Sequence, residues 1–257
     1  MPRFSVTALG QAGFRLEAGG FVLFVDPYLS DQVEKVEGPA LRRLRPAPMR
    51  PEHIADADYV LISHVHMDHC DIETLLPLSQ ASPACRFVGP RIVIDYLAGK
   101  GIDSSRLIVA NRDRLQIAPT IVVTPVPAAH KLMEQDSQGF LRYLGYVIEW
   151  EGKRFLHTGD TCVHECLIEK VRACGPIDVA LLPVNECNFF RDRAGIVGNM
   201  SIREAFKFAE EIGARTVVPM HYDMFEPNQA YREEIEIIYT RTNPSFRLAL
   251  DPDALSI

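Results

Sequence analysis

The chain has 257 residues, 47% hydrophobic and 24% charged, with a formal net charge of −7. That usage excludes a disordered, fibrous or coiled-coil polypeptide, and the charge argues against the broad basic footprint of a nucleic-acid binder or a protein drawn to anionic membranes. No run of eighteen apolar residues occurs and residues 1–9 are too polar for a secretory signal, so the cytoplasm is the expected setting, with the six cysteines as free thiols.

In chain order, residues 3–9, 13–17 and 21–25 read as antiparallel strands turned by glycines. Residues 31–56 are polar, proline-bearing and locally basic (Arg42-Arg43-Leu44-Arg45), a surface excursion of the kind that covers sites. The apolar run Tyr59-Val-Leu-Ile-Ser63 then leads into His64-Val-His-Met-Asp-His-Cys-Asp71, where Asp71 is expected to cap a helix entered at Ile72. Pro90 opens another helix that Gly99 and Gly101 stop. Residues 120–126, 144–150 and 154–157 form a second meander. Ser201-Ile-Arg-Glu204 is a capping box opening a helix to Ile212, and Gly213 ends it before a strand over 216–219. Strands then helices, twice over, predict an α+β fold: a four-layer αββα sandwich. It is read as a single domain over 1–257, with two βα halves at 1–119 and 120–257.

Three of the eight histidines and two aspartates fall within residues 64–71. More telling is position, because four apolar runs each end in a residue able to bind a divalent cation. The first run delivers His64, His66, Asp68 and His69; the others deliver His130, Asp160 and His221. Strand ends on one rim of a sandwich can converge although distant in sequence. Alternation puts His64 and His66 on one side to chelate one ion, while Asp68 and His69, after a turn, point to a second. Imidazole with carboxylate suits zinc, iron or manganese. Two such ions about 3.5 to 4 Å apart would lower the pKa of a bridging water to about 7 and polarise a carbonyl or phosphoryl oxygen. Asp160 also has a simpler reading as a helix N-cap before residues 161–165. His53 is expected in solvent, and His157, inside a strand, as a satisfied core histidine.

The His64, His66, Asp68, His69 pattern is HxHxDH, and with His130, Gly159-Asp160 and His221 downstream it resembles the metallo-β-lactamase superfamily. More narrowly, Phe87-Val-Gly-Pro-Arg91, Leu107-Ile-Val109, Ile177-Asp-Val-Ala180, Asn199-Met-Ser201 and Val217-Val-Pro-Met-His-Tyr-Asp223 resemble the L-ascorbate-6-phosphate lactonase branch. The resemblance implies that His64, His66 and His130 hold one ion and Asp68, His69 and His221 the other. Asp160 would bridge the two, Asp68 and Asp160 would be the catalytic carboxylates, and Asp26 would support the ligands from behind. It further implies two divalent ions, zinc or manganese, self-association, and a small-molecule substrate: a lactone of a phosphorylated sugar-like metabolite, opened by a hydroxide between the ions. Phosphodiester hydrolysis by the same fold is the alternative; an iron-dependent oxidoreductase and a metabolite-binding protein without turnover are those from other classes. For substrate contact the residues are His164, reaching from a helix, and Asn188, Arg191 and Arg193 on the irregular stretch 185–199, where arginine forks suit phosphate.

Overall fold

The computed structural model describes residues 3–251. Its first half opens on an antiparallel meander of β1 (Ser5–Gly10), β2 (Gly13–Ala18) and β3 (Phe21–Val25). After the short helix α1 (Gln32–Glu37) the pairing turns parallel. β4 (Tyr59–Leu61), β5 (Arg86–Gly89) and β6 (Leu107–Val109) add to β3 in order, connected by α2 (Ile72–Ala81) and α3 (Arg91–Gly99).

The second half repeats the plan. β7 (Leu115–Ala118), β8 (Ile121–Pro127), β9 (Leu144–Trp150) and β10 (Lys153–His157) pair antiparallel. Then α4 (Glu165–Ala173) leads to β11 (Val179–Pro183), α5 (Phe189–Arg193) and α6 (Ile202–Glu211) to β12 (Thr216–Met220), and α7 (Arg232–Thr242) to β13 (Arg247–Leu248), all parallel. Among the described residues the two sheets have six and seven strands. The halves meet between β6 and β7, not at residue 119, because residues 115–118 turn back at Pro119 to pair with β8.

Period-two alternation gives each sheet two apolar faces. In β3, Leu23 and Val25 face the space between the sheets while Val22 and Phe24 face the helices; in β10, Phe155 points inward and Leu156 outward. Leu75, Leu78, Val93 and Leu97 of α2 and α3 cover one sheet, and Leu167, Val171, Phe206 and Phe208 of α4 and α6 cover the other. Four layers result, helix, sheet, sheet, helix, with each fully buried large side chain contributing roughly 1.5–3 kcal/mol. Among the described residues, no helix is long and apolar enough to cross a membrane.

Local signals fix the rim where strands end. Asp71 accepts from the Glu73 amide (3.1 Å) at the start of α2 and from Ser30 Oγ (2.9 Å), which pins the far end of the histidine-rich loop. Ser201 and Glu204 form the reciprocal cap of α6, as expected. Gly159, at φ 60°, is so closely hemmed in that a Cβ would stand 2.6 Å from the Leu144 carbonyl oxygen at the start of β9 and 2.8 Å from Ser63 Cβ, just beyond β4 of the other sheet. A side chain there would push apart the turn that presents Asp160.

Candidate metal centre

All seven residues expected as ligands meet at this rim. Ligand atoms of His64, His66 and His130 lie within 4.8 Å of one another, as do those of Asp68, His69 and His221; His64, His69 and Asp160 form a third such group that joins the two. Between the trios stands Asp160. Its Oδ2 is 3.1 Å from His221 Nε2 and 3.8 Å from His130 Nε2, and its Oδ1 is 3.4 Å from His69 Nε2.

Behind the trios, Asp26 is wholly buried at φ 44°, a left-handed conformation that aspartate tolerates better than most residues. Its carboxylate accepts from the Ser63 amide (2.7 Å), Ser63 Oγ (2.5 Å) and His69 Nδ1 (2.7 Å). With its proton on Nδ1, His69 turns its other nitrogen to the site. His221 also takes positive φ, 62°, and its amide donates to the Gln11 carbonyl oxygen (2.8 Å). Strained backbone collected around one rim is what a preorganised site requires.

Do these residues suit a divalent cation? Five imidazoles and two carboxylates form a donor set that zinc or manganese accepts. His69 Nε2, His130 Nδ1 and Asp160 Oδ1 are buried with no hydrogen-bond partner, although unpaired buried polar atoms are costly. The chemistry and the orphaned atoms both fit a metal.

Without metal, protons take the place of cations. Burial opposes charge on His221, but Asp160 and Asp68 outweigh it and push it up to about 9. Burial likewise opposes, and Asp160, Asp68 and Asp26 prevail, at His69, which is held well above its ordinary value. Burial drives His64 well below the usual range and His130 down to about 4, so both are neutral and ready to ligate. Asp68 and Asp160 are held far below the carboxylate range, since His69 and His221 overcome their burial. The sign of the pH dependence follows. The stability that His221 gives the metal-free protein is complete below its unfolded value near 6.5 and is lost as pH rises through about 9. Calorimetry should therefore show the metal-free melting temperature falling by several degrees between about pH 7 and pH 10, while metal-loaded protein, its imidazoles already deprotonated, holds steady. A metal-free profile as flat as the loaded one would contradict the proton-for-cation balance.

In front of the cluster is a cavity of about 360 Å³, in the range of small-molecule sites. Val33 and Leu41, from the 31–56 excursion, cover one side, as expected of that segment; Ile196, Val197 and Phe225 form another. Among the described residues no lysine or arginine lines it, and apart from the cluster its one charged lining residue is Glu37.

The residues expected to contact substrate are placed differently. Arg191 turns inward and donates to the carbonyl oxygens of Asn185, Glu186 (3.0 Å) and Gln229, so its guanidinium is a strut between loops. Arg193 is exposed and lies off the cavity. Asn188 caps α5 by accepting from the amides of Phe190 and Arg191, both at 3.1 Å. His164 caps α4, its Nδ1 accepting from the Leu167 amide (3.3 Å), and is likewise absent from the cavity wall. Because His164 takes the cap, Asp160 is free of that role. His53 is exposed, and His157 is a satisfied core histidine, bonded to the Ala12 carbonyl oxygen (2.7 Å) and the Gly159 amide (3.1 Å).

Two supports escaped the sequence. Gln11, in the turn between β1 and β2, donates from Nε2 to Asp68 Oδ2 (2.7 Å). Ser63 joins Asp26 to the His64 ring, with Oγ 3.0 Å from Nδ1. A serine directly before the cluster was a usable signal; a glutamine in a tight turn was not.

Residues 22–222 match the family model described as beta-lactamase superfamily domain. A UPF0173 metal-dependent hydrolase of Methanoculleus marisnigri is 31% identical over 95% of this chain and 92% of its own. The chain belongs to this family of metal-dependent hydrolases. Another member, from Pyrococcus horikoshii, is 30% identical over 90% of each chain. Among solved structures, the metallo hydrolase Igni18 from Ignicoccus hospitalis superposes with a TM-score of 0.73 over 99% of this chain and 97% of its own, at 20% identity. That agreement in fold matches the two-sheet sandwich described above. This hydrolase thus carries its candidate ligands on the rim of a metallo-β-lactamase fold.

Proposed function

We propose that the chain hydrolyses a carboxylic ester or lactone of a small molecule whose body is largely uncharged. The observation that carries this reading is the seven-residue His/Asp cluster, five of whose members line a cavity that is otherwise largely apolar. His64, His66 and His130 would hold one ion, Asp68, His69 and His221 a second, and Asp160 would serve both; zinc and manganese suit the set. Bound metal supplies an acidified water and polarises the acyl oxygen.

The rest is done by the protein. Asp26 fixes the His69 tautomer, and Gln11 holds Asp68 by a charge-assisted bond. Val33, Leu41 and Phe225 exclude water and seat an apolar arm. The lactone comes from the resemblance to the ascorbate-phosphate lactonase branch. Its phosphate finds no support, since Arg191 is engaged elsewhere and among the described residues no basic fork lines the wall. The same lack disfavours a phosphodiester.

Stripping the protein with chelator should abolish hydrolysis of neutral lactones and alkyl esters, and restoring zinc or manganese should recover it. Activity indifferent to both treatments, or confined to phosphorylated lactones and phosphodiesters, would reject the proposal.

A further inference from the structure

Three asparagines form a buried relay that ends at the cavity. Asn199 Nδ2 donates to Asn185 Oδ1 (3.0 Å), and Asn185 Nδ2 donates to Asn228 Oδ1 (3.0 Å). Asn185 and Asn199 are fully buried, and Asn228 lines the cavity beside His221 and Asp160. Each residue stands on a different loop: Asn185 just after β11, Asn199 just before the cap of α6, Asn228 in the turn Glu226–Asn228. Their spacing is enforced. The Arg191 strut grips the carbonyl oxygens of Asn185 and Gln229, and a Cβ on Gly198 would fall 2.0 Å from the Glu186 carbonyl oxygen, so only glycine lets the two loop limbs close.

An amide relay of this kind has two directions, differing by a flip of all three side chains. In the direction described, its far end leaves one carbonyl oxygen, Asn199 Oδ1, without a partner. The reverse would strand the Asn199 amide nitrogen with both of its hydrogens. Buried acceptors are left unpaired more readily than buried donors, so burial at the Asn199 end selects the first direction. That choice reaches the cavity. With Asn228 Oδ1 occupied by Asn185, the remaining polar group of Asn228 is its Nδ2, a pure donor on a residue that shares the cavity lining with the ligand cluster.

We propose that Asn228 Nδ2 is a substrate-binding donor that receives the acyl oxygen of the substrate, and that Asn185 and Asn199 are positioning residues that fix its direction. The identity of that oxygen rests on the ester or lactone reading above; the presence of the donor does not. A neutral acceptor meets a directed N–H there, and the oxyanion that develops on attack meets it more strongly.

Asn228→Asp tests this with almost no change of shape, because the new carboxylate still accepts from Asn185 but has no hydrogen to give. With metal content and melting temperature measured alongside, kcat/KM for a neutral lactone should fall about 10- to 100-fold, mostly in kcat. Affinity for the corresponding lactam, an acceptor that is not turned over, should fall about 5-fold or more. Asn199→Leu, remote from the cavity, removes the donor that sets direction and should lower both by about 3- to 10-fold at unchanged metal content. If Asn228→Asp fails to fold or load metal, Asn199→Leu decides the matter. Lactam affinity and kcat/KM within about twofold of the parent in the soluble, metal-loaded variant would overturn the proposal. A parent that binds lactam but opens no ester or lactone would reject the proposed reaction, and the lactam affinities of the variants would still decide the role of Asn228.

Discussion

Asp160→Asn is expected to lower kcat/KM by about 10³-fold or more and to reduce the metal retained after dialysis. Asp160 faces His69, His130 and His221 at 3.1 to 3.8 Å and is the carboxylate that stands between the two trios, close to members of each. The amide keeps the shape and discards the charge, so that Asp68, with Asp26 behind His69, is left to offset the cations, and half of the Asp160 head group becomes a donor facing ligands that need an acceptor. Asp71 supplies the control. It is equally buried three residues from Asp68, but its carboxylate bonds Ser30, Thr74 and the Glu73 amide. Asp71→Asn should cost about 1–3 kcal/mol of stability and leave kcat/KM within a few-fold. Elemental analysis, kinetics and melting curves on the pair separate the two roles. Equal metal content and rate in Asp160→Asn and the parent would remove Asp160 from the centre.

How far the sequence carried the reading depended on whether a signal was local. His64 to His69 are legible because the chelating side chains are neighbours in the chain. His130, Asp160 and His221 are legible because each follows an apolar strand, and the sandwich brings one set of strand ends to one rim. The layers themselves follow from period-two strands and the amphipathic helices between them. The differences from expectation arise where tertiary context gives a polar group other partners. Arg191 has a fork that fits phosphate, yet three carbonyl oxygens of neighbouring loops satisfy the same donors. His164 sits at a helix start, where an imidazole nitrogen accepts from the backbone as a serine oxygen would. Gln11 and the asparagine relay were beyond reach, because neutral amides in turns look alike until the fold pairs residue 11 with 68 and residue 185 with 199 and 228.

Asp26 tests whether support behind the ligands matters as much as the ligands. Its single carboxylate satisfies three buried donors, and one of them, His69 Nδ1, sets which ring nitrogen faces the site. Asp26→Asn can still accept at one oxygen but turns an NH2 group toward Ser63 or His69, and it removes the charge that makes His69 a stronger ligand. Metal affinity, measured by competition with a chromophoric chelator, should fall about 10- to 100-fold, with kcat/KM falling in parallel at subsaturating metal. Asp26→Ala removes all three acceptor contacts, and the left-handed backbone at φ 44° adds a cost of about 1–2 kcal/mol. The metal-free alanine variant should therefore lose about 3–5 kcal/mol in denaturant unfolding, more than the asparagine variant. The two losses need not track one another: asparagine tolerates the backbone but not the electrostatics, and alanine tolerates neither. If Asp26→Asn bound metal as tightly as the parent, the charge behind His69 would be a structural tie only, and orientation of that imidazole would fall to Ser63, whose Oγ lies 3.4 Å from the same nitrogen.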